Sequence, residues 1–100
     1  MLFVAILKHS PENCFMRPEN AKASEEARKW FENIEELEKK TGVKLLGGYL
    51  NPNEHTAYFI LKTDDYAGMS RFLGPQLLTY RSAKITPVVK IEEASRALDF

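Results

Sequence analysis

Three side chains in this sequence belong to types that ligate transition metals or serve as nucleophile and base: His9, Cys14 and His55. They are both histidines and the only cysteine of the chain. Two imidazoles and a thiolate suit zinc, copper or iron, and a site with three protein ligands leaves a coordination position open to water or substrate. Glu12, between His9 and Cys14 in KHSPENC, offers a fourth ligand or a general base. The spacing lacks the paired C-x2-C of structural zinc sites, so it argues for no particular metal class. A second chemistry is nucleophilic: Cys14 in the first turn of a short helix near His9 would have its thiolate favoured by the helix end and the imidazole. No third residue to orient that pair stands out. The same stretch also reads as plain structure. Ser10 is a preferred N-cap, Pro11 suits the first helical position and Glu12 complements the helix dipole, leaving Cys14 as a small buried hydrophobe and both histidines in surface loops.

Tyr49 and Tyr58 form the other constellation. They would hydrogen-bond a small ligand in an otherwise apolar pocket. Alternatively they would pack in an interface between subunits, where tyrosine is enriched.

The elements that must position these residues follow from periodicity. Leu2 to Lys8 is apolar on both parities, as a central strand buried on both faces requires. From Ala21 to Lys40 the spacing turns helical, with Ala23, Ala27, Trp30, Ile34 and Leu37 on one stripe. Of the adjacent Trp30 and Phe31, Trp30 fits the inward stripe. Thr41-Gly42 ends the helix. Val43 to Leu50 and His55 to Lys62 form a hairpin around Asn51-Pro52-Asn53-Glu54, and Gly47-Gly48 marks a bulge or a close approach. Thr63 or Asp64 caps a second helix, with Tyr66, Met69, Phe72 and Leu73 on its buried side and Gly74-Pro75 as its stop. The last strand lies within Ser82 to Ile91, and it belongs at an edge or carries a bulge because Pro87 cannot donate a ladder hydrogen bond. Ile91 to Leu98 closes the chain as a short helix.

Strand, helix, strand, strand, helix, strand is the order of a ferredoxin-like α+β domain, a four-stranded antiparallel sheet with two helices on one face, and it spans residues 1–100 as a single domain. The end of the first strand and the start of the third share one edge of such a sheet. His9, Cys14 and His55 are therefore expected to converge. With His55 across from Leu50, Tyr49, Thr56, Tyr58 and Ile60 share the open face, joined by Leu2, Val4 and Ile6, while Leu46, Leu50, Phe59 and Leu61 face the helices. That open face is too apolar to meet water comfortably, and a second sheet would cover it.

In this order of elements the chain resembles the dimeric α/β-barrel superfamily, whose ferredoxin-like subunits pack sheet against sheet. More narrowly, KHSPENC after the first strand and ITPVVKIEEA near the end are similar to small uncharacterised prokaryotic proteins with an N-terminal KHSPEXC motif. The resemblance implies a homodimer or a larger assembly of dimers, with small ligands bound between sheet and helices. The superfamily includes cofactor-free monooxygenases, lactone isomerases, haem-binding enzymes and ligand-sensing domains, so fold alone does not choose an activity.

Composition narrows the choice by exclusion. With 14 basic and 14 acidic residues the chain carries no net charge, and it lacks the basic footprint of a nucleic-acid or anionic-membrane binder. No phosphate-binding glycine motif occurs. Glu25-Glu26, Glu35-Glu36 and Glu92-Glu93 fall on solvated helical faces. The apolar run before Lys8 is too short for a signal peptide or a membrane span, and a lone cysteine forms no internal disulfide, so the expectation is a cytoplasmic protein. Three functions fit: a small-ligand or metal-binding protein using His9, Cys14 and His55; a cofactor-independent monooxygenase- or isomerase-like enzyme with a pocket beside Tyr49 and Tyr58 and His9 as acid or base; and a non-catalytic regulatory or interaction module.

Overall fold

The computed structural model describes residues 1–99, so Phe100, the last residue of the expected domain, lies outside the described residues. Strands β1 (Leu2–Lys8), β2 (Lys44–Asn51), β3 (Thr56–Lys62) and β4 (Ser82–Val88) form one sheet in the order β2-β3-β1-β4. Every neighbouring pair is antiparallel. The fold class is α+β, and the strand order is that of a ferredoxin-like domain. Among the described residues no helix is long and apolar enough to cross a membrane.

Helices α1 (Ala21–Glu32), α2 (Ile34–Thr41) and α3 (Gly68–Leu78) supply the apolar cover of one sheet face. The odd residues of β1, Phe3, Ala5 and Leu7, are buried there with Phe59 and Leu61 of β3. Trp30 is fully enclosed at 0% exposure. It stacks on Phe59, with centroids 5.3 Å apart and planes 11° apart, and meets Phe72 edge-on at 5.4 Å. Its indole N–H donates to the Phe72 carbonyl at 2.8 Å, so burial leaves no polar atom of the ring unpaired. Phe31, its neighbour, stays half-exposed rather than joining the core. Leu2, Val4 and Ile6 are only half-buried in the single chain, so this strand is sealed on one face rather than two.

Several sequence expectations are corrected. The single helix over Ala21 to Lys40 is two, because Asn33 leaves the helical region (φ −114°, ψ 17°). Its side-chain amide donates to the Lys29 carbonyl at 2.7 Å, a local bond that competes with helix continuation. Gly42, at φ 73°, then ends α2 in the left-handed conformation. Leu46 does not face the helices. A bulge between Leu45 and Gly47 puts Leu45 opposite Leu61 and leaves Leu46 exposed. Leu50 pairs with Ala57, not His55. The reason is the hairpin turn, where the Asn51 side chain accepts from Glu54 N and His55 stands at φ 55°, outside the strand.

Gly74-Pro75 interrupts the helix where expected: Gly74 leaves the helical region at φ 60°, ψ 178°, and Pro75 opens a second helical piece that runs to Leu78, so α3 is two pieces joined across a kink. Thr63 caps only a preceding turn, accepting from Asp65 N at 3.0 Å. Tyr66, before the helix proper, is largely exposed rather than buried, although its ring leans on Phe3. Pro87 sits in edge strand β4 as expected. Helix α4 (Ile91–Ala97) contributes no buried residue.

Candidate functional site

The register of β1 against its two neighbours generates the site. Lys8 pairs with Thr56 on one side and with Ser82 on the other. One residue further, His9 faces His55 across one ladder and Arg81 across the other. The His9 amide extends the first ladder by donating to the His55 carbonyl at 3.1 Å. His9 keeps the parity of Phe3, Ala5 and Leu7, so its ring turns toward the helix side and is only 7% exposed.

Cys14 arrives by a separate route. Pro11–Asn13 forms one 3-10 turn, with Ser10 before it in extended conformation and Cys14 at its C-terminal end, where Cys14 N donates to the Pro11 carbonyl at 3.2 Å. A second such turn, Pro18–Asn20, leads into α1. The Asn20 side-chain amide ties the two together, donating to the carbonyls of Glu12 at 2.6 Å and Cys14 at 2.9 Å. Asn20 thus holds the loop that carries the thiol, and the broken path from Asn13 to Asn20 finds its order in that clamp.

The ligand-type atoms of His9, Cys14 and His55 all lie within 4.8 Å of one another. His9 Nε2 and His55 Nδ1 are 3.2 Å apart, one donating and the other accepting. A tetrahedral metal with bonds of about 2.0–2.1 Å to two imidazoles separates their nitrogens by about 3.3 Å, so the histidine pair already has the span such an ion requires. Glu12 stands outside the cluster. It is exposed, and its carboxyl is held below its ordinary pKa by its own backbone N–H and then by the Ser10 hydroxyl.

Three details differ from the plain structural reading and from the nucleophile reading. His9 is buried, not a surface loop residue. Cys14 is buried as well, but beside two imidazoles rather than in a purely apolar niche. It closes a 3-10 turn instead of opening a helix. The His9 pKa is lowered by burial first, then by the Arg81 charge and by His55, all of which favour the neutral imidazole.

A cavity of about 620 Å³ opens beside the cluster, between α1 and the helix face of the sheet. Its walls are mostly apolar, from Leu7, Ala27, Phe31, Leu50, Phe59 and Leu77, with His9, Cys14, His55 and Arg81 gathered among the polar lining. Tyr49 and Tyr58 do not line it. They pair across β2 and β3 on the opposite face, where Tyr49 is 66% exposed.

Arg81 is the functional candidate the sequence reading passed over. Burial lowers its pKa, an effect opposed by Cys14, yet a guanidinium remains charged under physiological conditions. It lies over the Phe15 ring at 5.8 Å, while Phe15 meets His9 edge-on. Its place was implicit in the strand order, since a last strand beginning at Ser82 next to the first puts residue 81 level with residue 9.

The chain belongs to the DUF3303 family, a domain of unknown function, whose model matches residues 1–99. No curated protein matches the chain.

Proposed function

For this DUF3303 member we propose a metal- and small-molecule-binding role, in which His9 Nε2, His55 Nδ1 and Cys14 Sγ hold a divalent transition ion at the end of the apolar cavity. The observation that carries the reading is the convergence of three ligand-type atoms within 4.8 Å, supplied by segments far apart in sequence. Zinc and copper suit this nitrogen and sulfur set best, with iron next. Bound there, the ion would supply Lewis acidity at a coordination position open to the cavity. The protein's own contribution is to present a neutral His9, to hold Cys14 through the Asn20 clamp, and to surround the open position with apolar walls that exclude water.

A metal-free reading draws on one specific contact, the 3.2 Å approach of the two imidazoles. A hydrogen-bonded pair of this kind would exchange a proton with a ligand in the cavity, as a cofactor-independent isomerase-like enzyme requires. The pocket for that chemistry is the helix-side cavity and not the face of Tyr49 and Tyr58.

The open sheet face supports a homodimer as the working form. Val4 lies beside Ile60 and Ile6 beside Tyr58, which pairs in turn with Tyr49, so apolar and aromatic side chains are contiguous across β1, β3 and β2. Tyr49 and Tyr58 then serve as interface residues. A reduced Cys14 fits the cytoplasm.

Elemental analysis of the purified protein after incubation with zinc, copper or iron tests the metal. Near-stoichiometric ion that is lost in His9→Ala, with circular dichroism unchanged, supports the reading. A metal-free protein under all three conditions overturns it and leaves the imidazole pair.

A further inference from the structure

We propose that the cavity selects organic monocarboxylates with an alkyl or aryl body, Arg81 receiving the carboxylate while the body fills the apolar space behind it. The proposal rests on the reading above that this cavity receives a small molecule, and it adds the ligand's chemical class.

Charge is the first argument. Three formally charged side chains line the cavity: Arg28, Glu32 and Arg81. Arg28 and Glu32 are neighbours on α1 and pair with each other at 3.9 Å, both well exposed. Among the described residues no carboxylate stands within ion-pair distance of Arg81. One guanidinium nitrogen donates to the Leu77 carbonyl at 3.4 Å, which leaves the other donors of the fork free to meet a ligand. A partly desolvated arginine with open donors is suited to bidentate capture of a carboxylate.

Shape is the second argument. A volume of about 620 Å³ falls in the range of small-molecule sites, roughly 300–1,000 Å³. Leu7, Leu50, Phe59 and Leu77 head a mostly apolar wall, in which Ser24, Asn51 and Thr56 are the few uncharged polar residues outside the histidine–cysteine cluster. A sugar or a nucleotide would leave hydroxyls unpaired against those walls, at a cost a hydrocarbon body avoids. The matching ligand has one anionic end and an apolar remainder.

The chain carries its own reporter. Trp30 is its only tryptophan, and Trp30 meets the cavity-lining Phe31 edge-on at 5.3 Å and stacks on Phe59. Tryptophan fluorescence is titrated with decanoate and with decan-1-ol, on metal-free and on zinc-incubated protein. The expected result is saturable decanoate binding at least about tenfold tighter than decan-1-ol, as a charge-assisted bidentate contact implies. Arg81→Met should reduce that ratio to near unity, Arg81→Lys should keep part of it, and circular dichroism of both should match the parent. Equal affinity for the two probes, or an unchanged ratio in Arg81→Met, overturns the proposal. Zinc content measured on the same samples separates the two readings. Zinc bound with equal probe affinities defeats the carboxylate assignment alone, whereas an Arg81-dependent ratio without zinc supports it and defeats only the metal.

Discussion

His9 and His55 are joined twice, by a backbone hydrogen bond of 3.1 Å from His9 N to His55 O and by a ring contact of 3.2 Å between Nε2 and Nδ1. The backbone bond extends the β1–β3 ladder beyond Lys8, so the sheet itself sets the distance between the rings. Replacing His55 by Ala should leave the fold intact, since the ladder bond uses its carbonyl. It should nevertheless abolish stoichiometric metal. Thermal unfolding and metal content measured together distinguish a lost ligand from a lost fold.

Stability should depend on pH through His9. Its pKa in the folded chain is lowered from 6.5, chiefly by burial, so between the folded and unfolded values the unfolded chain binds more protons. Stability then rises with pH, is fully present above about 6.5 and is lost as pH falls through that value toward the folded pKa. Melting temperatures of the metal-free protein should fall from pH 7.5 to about pH 5.5, and His9→Asn should flatten that dependence. An equally steep decline in His9→Asn would assign it to other groups.

Asn20 should tune the site from outside it. Asn20→Ala removes the donors to the Glu12 and Cys14 carbonyls. The expected cost is about 1–2 kcal/mol of stability, with roughly tenfold weaker zinc binding, as for supporting partners of metal ligands. Denaturant melts and competition with a chromophoric chelator read the two effects separately. Unchanged zinc affinity would show that the loop holds Cys14 without this clamp.

The architecture was legible where one physical signal dominated. The apolar run of β1, the Ala23–Ala27–Trp30 stripe and the proline in β4 each identified its element, although the run overstated the burial of β1, which is sealed on one face. That His9 and His55 meet followed from the strand order, whereas the place of Cys14 depends on the two 3-10 turns and the Asn20 clamp. Where two local signals competed, the sequence was silent about the outcome. Asn33 looked like an ordinary polar helix position, yet its side chain bonds the Lys29 carbonyl and breaks the helix. Gly74-Pro75 does interrupt the helix as its residues suggest; what the pattern did not show is that Pro75 starts a further helical piece that buries Leu77 beside Phe72 and Leu73. The face that holds the cavity depended on the exact register beyond β1, and so did Arg81.

Gly68 marks a close approach at the start of α3. A Cβ built there would lie 2.9 Å from the Thr41 carbonyl oxygen, a backbone atom at the end of α2. Gly68→Ala should therefore destabilise the protein by about 1–3 kcal/mol despite alanine's better helix propensity. A chemical-denaturation midpoint equal to the parent's would mean that α2 and α3 separate at little cost.

Dimerisation through the open face should be sensitive to charge at its centre. Sedimentation equilibrium should give twice the chain mass of 11.5 kDa for the parent and the single-chain mass for Val4→Glu. A parent that sediments as a single chain would remove the sheet-to-sheet interface from the account.

Cobalt substitution tests the central claim most directly, because its spectrum reports both geometry and donor type. Anaerobic titration with Co²⁺ should produce the intense visible bands of a tetrahedral ion together with near-ultraviolet thiolate-to-metal charge transfer, saturating at one ion per chain. The charge-transfer band should vanish in Cys14→Ser, and both features should vanish in His9→Ala. A spectrum that stays that of the hydrated ion throughout the titration would contradict the assignment of His9, Cys14 and His55 as metal ligands.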